Sequence, residues 1–182
     1  LQWNPECVIR EMPKIDCSDD SFKQIVNSVF QYDPSKNEYN RKFIFFEESF
    51  FADGSEVNDV ALIEALSARV GKENVMIKIH PRNPVNRFKE LGFKTNQNTA
   101  IPWEVIVMNI DDLSDKILVT VASSCILNPI IVFGKSVKAY SLFDCIDHIP
   151  PVLQHGYWEL VEKVYKEYPN MIHRCKSIAE IA

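Results

Sequence analysis

From residue 41 onward, short apolar runs of strand length alternate with stretches of helical period, and few folds accept that alternation. KFIFFEE (42–48) is aromatic-rich and apolar, as a strand buried on both faces must be. Residues 57–70 follow, with Val60, Leu62, Ile63, Leu66 and Val70 at helical spacing and Gly71 as a stop. Further strands are predicted at 75–79, 116–121 and 137–143. Further helices are predicted at 84–91, 102–109, 124–133 and 154–168. Strands separated by helices pair in parallel through right-handed crossovers. The expected fold class is therefore α/β: a Rossmann-like parallel sheet with helices on both faces.

Residues 1–40 read differently. They carry Pro5, Pro13 and Pro34, the polar cluster CSDDS, and a single helix beginning near Ser21, with Phe22, Ile25, Val26, Val29 and Phe30 at helical spacing. This is a linker or lead-in (1–40) to a main domain at 41–182. With 182 residues and 46% apolar content, the chain has material for one packed domain. Its net charge of −5 argues against bulk nucleic-acid binding.

Five cysteines, an odd number without a CxxC pair, read as reduced and mostly buried thiols of a cytoplasmic protein. Cys125 and Cys145 lie in apolar runs, where a thiol packs as a small hydrophobe. No run approaches the length of a membrane span, and LQWNPEC lacks the pattern of a signal peptide. GxGxxG and the P-loop are both absent from the sequence. His148, His155 and His173 lack metal-ligand spacing.

In an open parallel sheet, ligands bind outside the carboxyl ends of the strands. Asp53-Gly54 lies in the loop after the first strand. Lys78, His80, Pro81 and Arg82 end the second, and Ser123-Ser124 follow the third. Lys78 and His80 are two residues apart and share a face of an extended chain. Arg82 is read as solvent-facing and given less weight. A strand running straight into a helix presents free N–H groups, and the serine pair adds hydroxyl donors for an anion; the plainer role is an N-cap. Gly54 permits a turn that presents Asp53 to a cleft, or that merely reverses the chain. Glu104, in the first turn of a helix, suits the dipole there and is able to accept from two ribose hydroxyls.

Ala52-Asp53-Gly54, Lys78-Ile79-His80-Pro81 and Ser123-Ser124, with Pro102-Trp103-Glu104 between the last two, resemble the nucleotide-binding half of bacterial GT-B sialyltransferases. The likeness extends over about residues 41–145 and is nearest to the lipooligosaccharide sialyltransferase and polysialyltransferase families. Those families carry an acidic-acidic-glycine motif, a histidine-proline motif and a serine pair. The resemblance implies one half of a GT-B architecture that binds CMP-sialic acid as donor substrate, without metal or cofactor. It implies inverting transfer to a hydroxyl of a glycan acceptor. Asp53 becomes the general base and His80 the acid or charge partner of the departing phosphate. Ser123 and Ser124 hold that phosphate, Glu104 holds the ribose, and Lys78 lies near the nucleotide. No DxD-like pair contradicts the metal-free expectation, since Asp19-Asp20 and Asp111-Asp112 read as solvated.

Ala52 departs from the acidic-acidic-glycine pattern, and Glu47 and Glu48 just upstream are able to supply the missing charge or the base itself. The chain begins at Leu1, which fits a donor-binding half cut from a longer enzyme. The same families imply a homodimer and peripheral contact with the inner face of a bacterial membrane. Two alternatives stay open. One is another GT-B enzyme or a CDP-glycerol-type transferase of surface polysaccharide. The other is a non-catalytic α/β module whose polar strand ends serve only as turns and caps.

Overall fold

A computed structural model describes residues 12–36, 38–153 and 157–181. Cys7, Gln154 and His155, and the side chains of Tyr157 and Trp158, lie outside what it describes. The elements in chain order are α1 (Asp20–Phe30), β1 (Phe43–Phe46), α2 (Asp59–Val70), β2 (Val75–Lys78), α3 (Arg87–Glu90), β3 (Lys94–Thr95), α4 (Trp103–Met108), β4 (Ile117–Thr120), α5 (Asn128–Ile131), β5 (Lys138–Ser141), α6 (Tyr157–Glu167) and β6 (Ile172–Arg174). The six strands form one all-parallel sheet in the order β3-β2-β1-β4-β5-β6. This is the doubly wound order, and its direction reverses between β1 and β4, where a crevice opens at the carboxyl ends of the strands.

Alternation along the strands sorts side chains onto two cores. Ile44, Phe46, Met76 and Leu118 point to one face and meet Trp103, Val105, Ile106 and Met108 of α4 and Ile130 of α5. Phe43, Phe45, Val75, Ile77 and Val119 point to the other and meet Ile63 and Leu66 of α2 and Phe88 of α3. A third, smaller cluster of Phe50, Val121, Ala122 and Phe143 closes the carboxyl rim of the sheet. The strands are buried throughout except for the first residue of β5 and the two outermost strands.

The lead-in packs on the first core through Ile15, Cys17, Val26 and Tyr32. Asp19 starts α1 by accepting the Phe22 N–H at 2.9 Å. The outward face of α1 leaves Ile25 and Val29 exposed. Gly71, at φ +86, stops α2 in backbone that a side chain resists, and a Cβ there would meet the Glu73 carboxylate.

The structure differs from the expected elements in two places. The helix expected over 124–133 is a 3₁₀ turn (Ser124–Ile126) followed by the separate helix α5. Pro129 sits in the first turn of α5, where a missing N–H costs nothing, so the helix begins beside it rather than passing through it. The strands β3 and β6 add an edge on each side of the four expected. No helix among the described residues is long and apolar enough to cross a membrane.

Candidate functional site

The strand register builds the floor of the crevice. Phe46 pairs with Lys78 on one side and Thr120 on the other, so the last residues of β1, β2 and β4 lie in a row on the α4 face. Above this row is a cleft of about 370 Å³, a volume typical of small-molecule sites. Lys78, His80, Pro81, Glu104, Ser123 and Ser124 all line it, with Phe46 and Trp103 as its apolar wall. Six of the eight residues singled out in the sequence thus meet in one place. A second cavity, beside Tyr32 and Tyr39, is only about 90 Å³.

Lys78 is the most constrained of them. It is 7% exposed, yet its ammonium makes no hydrogen bond or ion pair among the described residues. Burial lowers its pKa, while the Cys125 thiol and the Glu104 carboxylate act in the opposite direction. A buried cation without a partner is a strong anion receptor, because an arriving negative charge relieves the cost of its burial.

His80 is half-buried. Burial first, then the charges of Arg82 and Lys78, hold its pKa below the ordinary histidine value, and Asp53 partly offsets them. Its Nδ1 accepts the Arg82 backbone N–H at 3.2 Å. That bond selects the neutral tautomer with the proton on Nε2, which makes the ring a donor.

Ser123 caps the 3₁₀ turn by accepting the Cys125 N–H at 3.3 Å. Its own N–H is spent on Thr120 Oγ1 at 3.1 Å. The capping role is therefore real, and both serines still line the cleft. Glu104 accepts from Asn128 Nδ2 through Oε1, and Oε2 has no partner among the described residues.

Asp53 and Gly54 stand apart from this group and do not line the cleft. Gly54 is in the left-handed region, at φ +69, as the expected turn requires. Asp53 is engaged on both oxygens: Oδ1 accepts from the Arg82 guanidinium, and Oδ2 accepts from Ser49 Oγ at 2.7 Å. The Asp53 loop is nonetheless tied to the His80 loop. Asn83 accepts the Ala52 N–H at 3.1 Å and donates to the Glu48 carbonyl at 2.9 Å. Arg82, given little weight in the sequence, is solvent-facing in part and also the ion-pair partner of Asp53.

The two glutamates that follow β1 do different work. Glu47, 2% exposed, accepts the His80 N–H at 3.1 Å and an Arg87 N–H at 3.0 Å. Arg87 also reaches buried Asp59 at 2.7 Å. Glu48 accepts from Thr120 Oγ1 at 2.6 Å and from the Ala122 N–H at 2.9 Å. Burial dominates over those bonds and pushes its pKa up to about 7. Arg87 and Asp59 carried no signal in the sequence, because nothing in a residue's neighbours announces a buried ion pair made across elements. Among the described residues no group of three His, Cys, Asp or Glu side chains is placed to hold a metal ion.

No curated protein and no solved structure matches this chain. A family model does: that of alpha-2,8-polysialyltransferase matches residues 35–142, more than half of the 182 residues. The matched span runs from just before β1 to the end of β5 and contains every residue of the cleft and of the Asp53 loop. On that match, this chain belongs to the alpha-2,8-polysialyltransferase family, a family of sialyltransferases and hence of glycosyltransferases.

Proposed function

We propose that the cleft binds CMP-sialic acid, and that the chain supports inverting transfer of sialic acid to a hydroxyl group of a glycan acceptor. The observation that carries this reading is buried Lys78, whose ammonium has no partner among the described residues and which shares one cleft with His80 and the Ser123-Ser124 turn. Such a set of donors fits a phosphate. The Oε2 atom of Glu104, at the mouth of α4, fits the two hydroxyls of a ribose, and the Phe46–Trp103 wall fits its apolar face.

In the proposed reaction the acceptor oxygen attacks the anomeric carbon of sialic acid from the side opposite CMP. The bond between that carbon and the phosphate oxygen breaks, and its electron pair leaves with the phosphate. His80 Nε2–H and the Lys78 ammonium meet the charge that develops there, inside a site already organised for it. The acceptor proton passes to Asp53, whose carboxylate leaves Arg82 as the acceptor enters. Glu47 lines the cleft and is held by Arg87 and the His80 N–H, but its side chain is fully buried, whereas that of Asp53 is 31% exposed to an incoming acceptor. This chain supplies the donor side of the site, and a second domain or a second copy supplies the acceptor side.

The test is thermal protection by CMP, CDP, UDP and GDP. Ligand at a hundredfold excess over Kd stabilises by about 2.7 kcal/mol, or roughly 5–10 °C for a chain of this size. CMP is expected to give the largest shift, and His80→Ala to lose most of it. Equal shifts for all four nucleotides, or no shift at all, defeat the reading. The first outcome favours a general phosphate pocket and the second a non-catalytic module.

A further inference from the structure

β1 lies between β2 and β4, and the two carboxylates that follow it turn to opposite neighbours. Glu47 serves the β2 side: its N–H donates to the Lys78 carbonyl at 3.0 Å, and its carboxylate accepts the His80 N–H at 3.1 Å. Glu48 serves the β4 side, where its Oε1 accepts from Thr120 Oγ1 at 2.6 Å and from the Ala122 N–H at 2.9 Å. Glu47 lines the cleft and Glu48 does not. Glu48 is therefore placed to act on a ligand only through other residues.

The residues it reaches are the ones that shape the serine turn. The Thr120 hydroxyl has one proton and two acceptors within reach, Glu48 Oε1 at 2.6 Å and the Phe46 carbonyl at 3.2 Å. The shorter bond, to the carboxylate, takes the proton. The Thr120 oxygen is left as an acceptor, and it receives the Ser123 N–H at 3.1 Å. Ser123 Oγ in turn accepts the Cys125 N–H at 3.3 Å. β5 holds the same turn from the other side: Leu142 N–H donates to the Thr120 carbonyl at 2.8 Å, and Ser141 Oγ donates to the Val121 carbonyl at 2.9 Å. Thus β5 fixes two carbonyls of the turn, while Glu48 and Thr120 fix two of its N–H groups. Burial pushes the Glu48 carboxyl up to about 7, so keeping it there costs stability at neutral pH. What it secures is the shape of the turn.

We propose that Glu48 is a positioning residue for phosphate binding: through Thr120 and the Ala122 N–H it sets the turn that presents Ser123 and Ser124 to the cleft. The role rests on the reading of the cleft as a CMP site. It separates Glu48 from the general base, since its carboxylate faces Thr120 rather than the cleft. Glu47 does for the His80 loop what Glu48 does for the serine turn, so two consecutive residues after one strand set the two halves of the grip on the phosphate.

The experiment measures the Kd for CMP by calorimetry, well below the melting temperature of every protein compared. These are the unaltered chain, Glu48→Gln, Glu48→Ala, Thr120→Val and the double variant Glu48→Ala/Thr120→Val. Amide hydrogen exchange at Ala122 and Ser123 is followed in parallel. Glu48→Gln keeps an oxygen for both donors and is expected to bind CMP within about twofold of the unaltered chain. Glu48→Ala and Thr120→Val are each expected to bind about tenfold more weakly, with faster exchange at Ala122 in the first and at Ser123 in the second. Both act through one relay, so the double variant is also expected to lose about tenfold, against the roughly hundredfold of independent effects. Three results overturn the proposal: full CMP affinity in Glu48→Ala, a Glu48→Gln variant as weak as Glu48→Ala, or losses that simply multiply in the double variant. Should Glu48→Ala not fold, full CMP affinity in Thr120→Val overturns it instead. If CMP fails to bind the unaltered chain, the sialyltransferase reading falls. Exchange then decides the relay alone, and unchanged protection of Ala122 in Glu48→Ala and of Ser123 in Thr120→Val overturns it.

Discussion

At the scale of single residues, two side chains at the carboxyl rim of the sheet, His80 and Glu48, have been moved away from their ordinary titration, in opposite senses. His80 has a lowered pKa, so the fold is penalised as pH falls below the ordinary histidine value of 6.5 and the ring is forced to charge. Glu48 has a raised one, about 7 against 4.5. A carboxyl group of that kind stabilises the fold while protonated, and the contribution fades as pH rises through the interval between those two values. Glu48→Gln cannot ionise and keeps an oxygen for Thr120 and Ala122. The melting temperature of the unaltered protein, relative to Glu48→Gln, is therefore expected to decline between pH 5 and pH 8. A constant difference across that range would show that Glu48 is not desolvated as described. The sequence placed Glu48 near the site only as a spare charge. Its neighbours on β4, seventy-odd residues away, decide what it does.

Among the elements, β1 and β4 were legible because three or four consecutive apolar residues between turn signals have few other uses. The outer strands were not. Lys94–Thr95 is too short to show a period, and Ile172–Arg174 buries only its first residue. The positions of Lys78, His80 and the serine pair followed from strand ends alone, since a parallel sheet gathers all such ends at one rim. What holds the rim in shape did not follow. Arg87 of α3 bridges Glu47 at the end of β1 and Asp59 at the start of α2, and Glu47 in turn holds the His80 backbone. Removing one member of a buried ion network leaves charges without compensation, at a cost of about 3–5 kcal/mol. Arg87→Ala is expected to lose stability of that order in urea or guanidinium unfolding, and CMP protection with it. A loss below about 1 kcal/mol, the size of an exposed pair, would contradict the bridging role.

For the molecule as a whole, the sheet gathers its chemistry at one rim. Its carboxyl end mixes acids and bases around an enclosed cleft. The sequence reading reached that cleft because its residues fall into short motifs with a known order. It missed the relay that shapes the serine turn, because Glu48 after one strand and Thr120 on another meet only once the strands align. The central claim concerns the rim: that Lys78, His80, Ser123 and Ser124 together grip the phosphate of a cytidine nucleotide. The most direct measurement is a crystal structure of this chain grown with CMP. The account predicts the phosphate within hydrogen-bond distance of the Lys78 ammonium, His80 Nε2 and at least one of the serine hydroxyls, with the ribose against Glu104. A nucleotide lodged beside Tyr32 and Tyr39, with the cleft vacant, would contradict it.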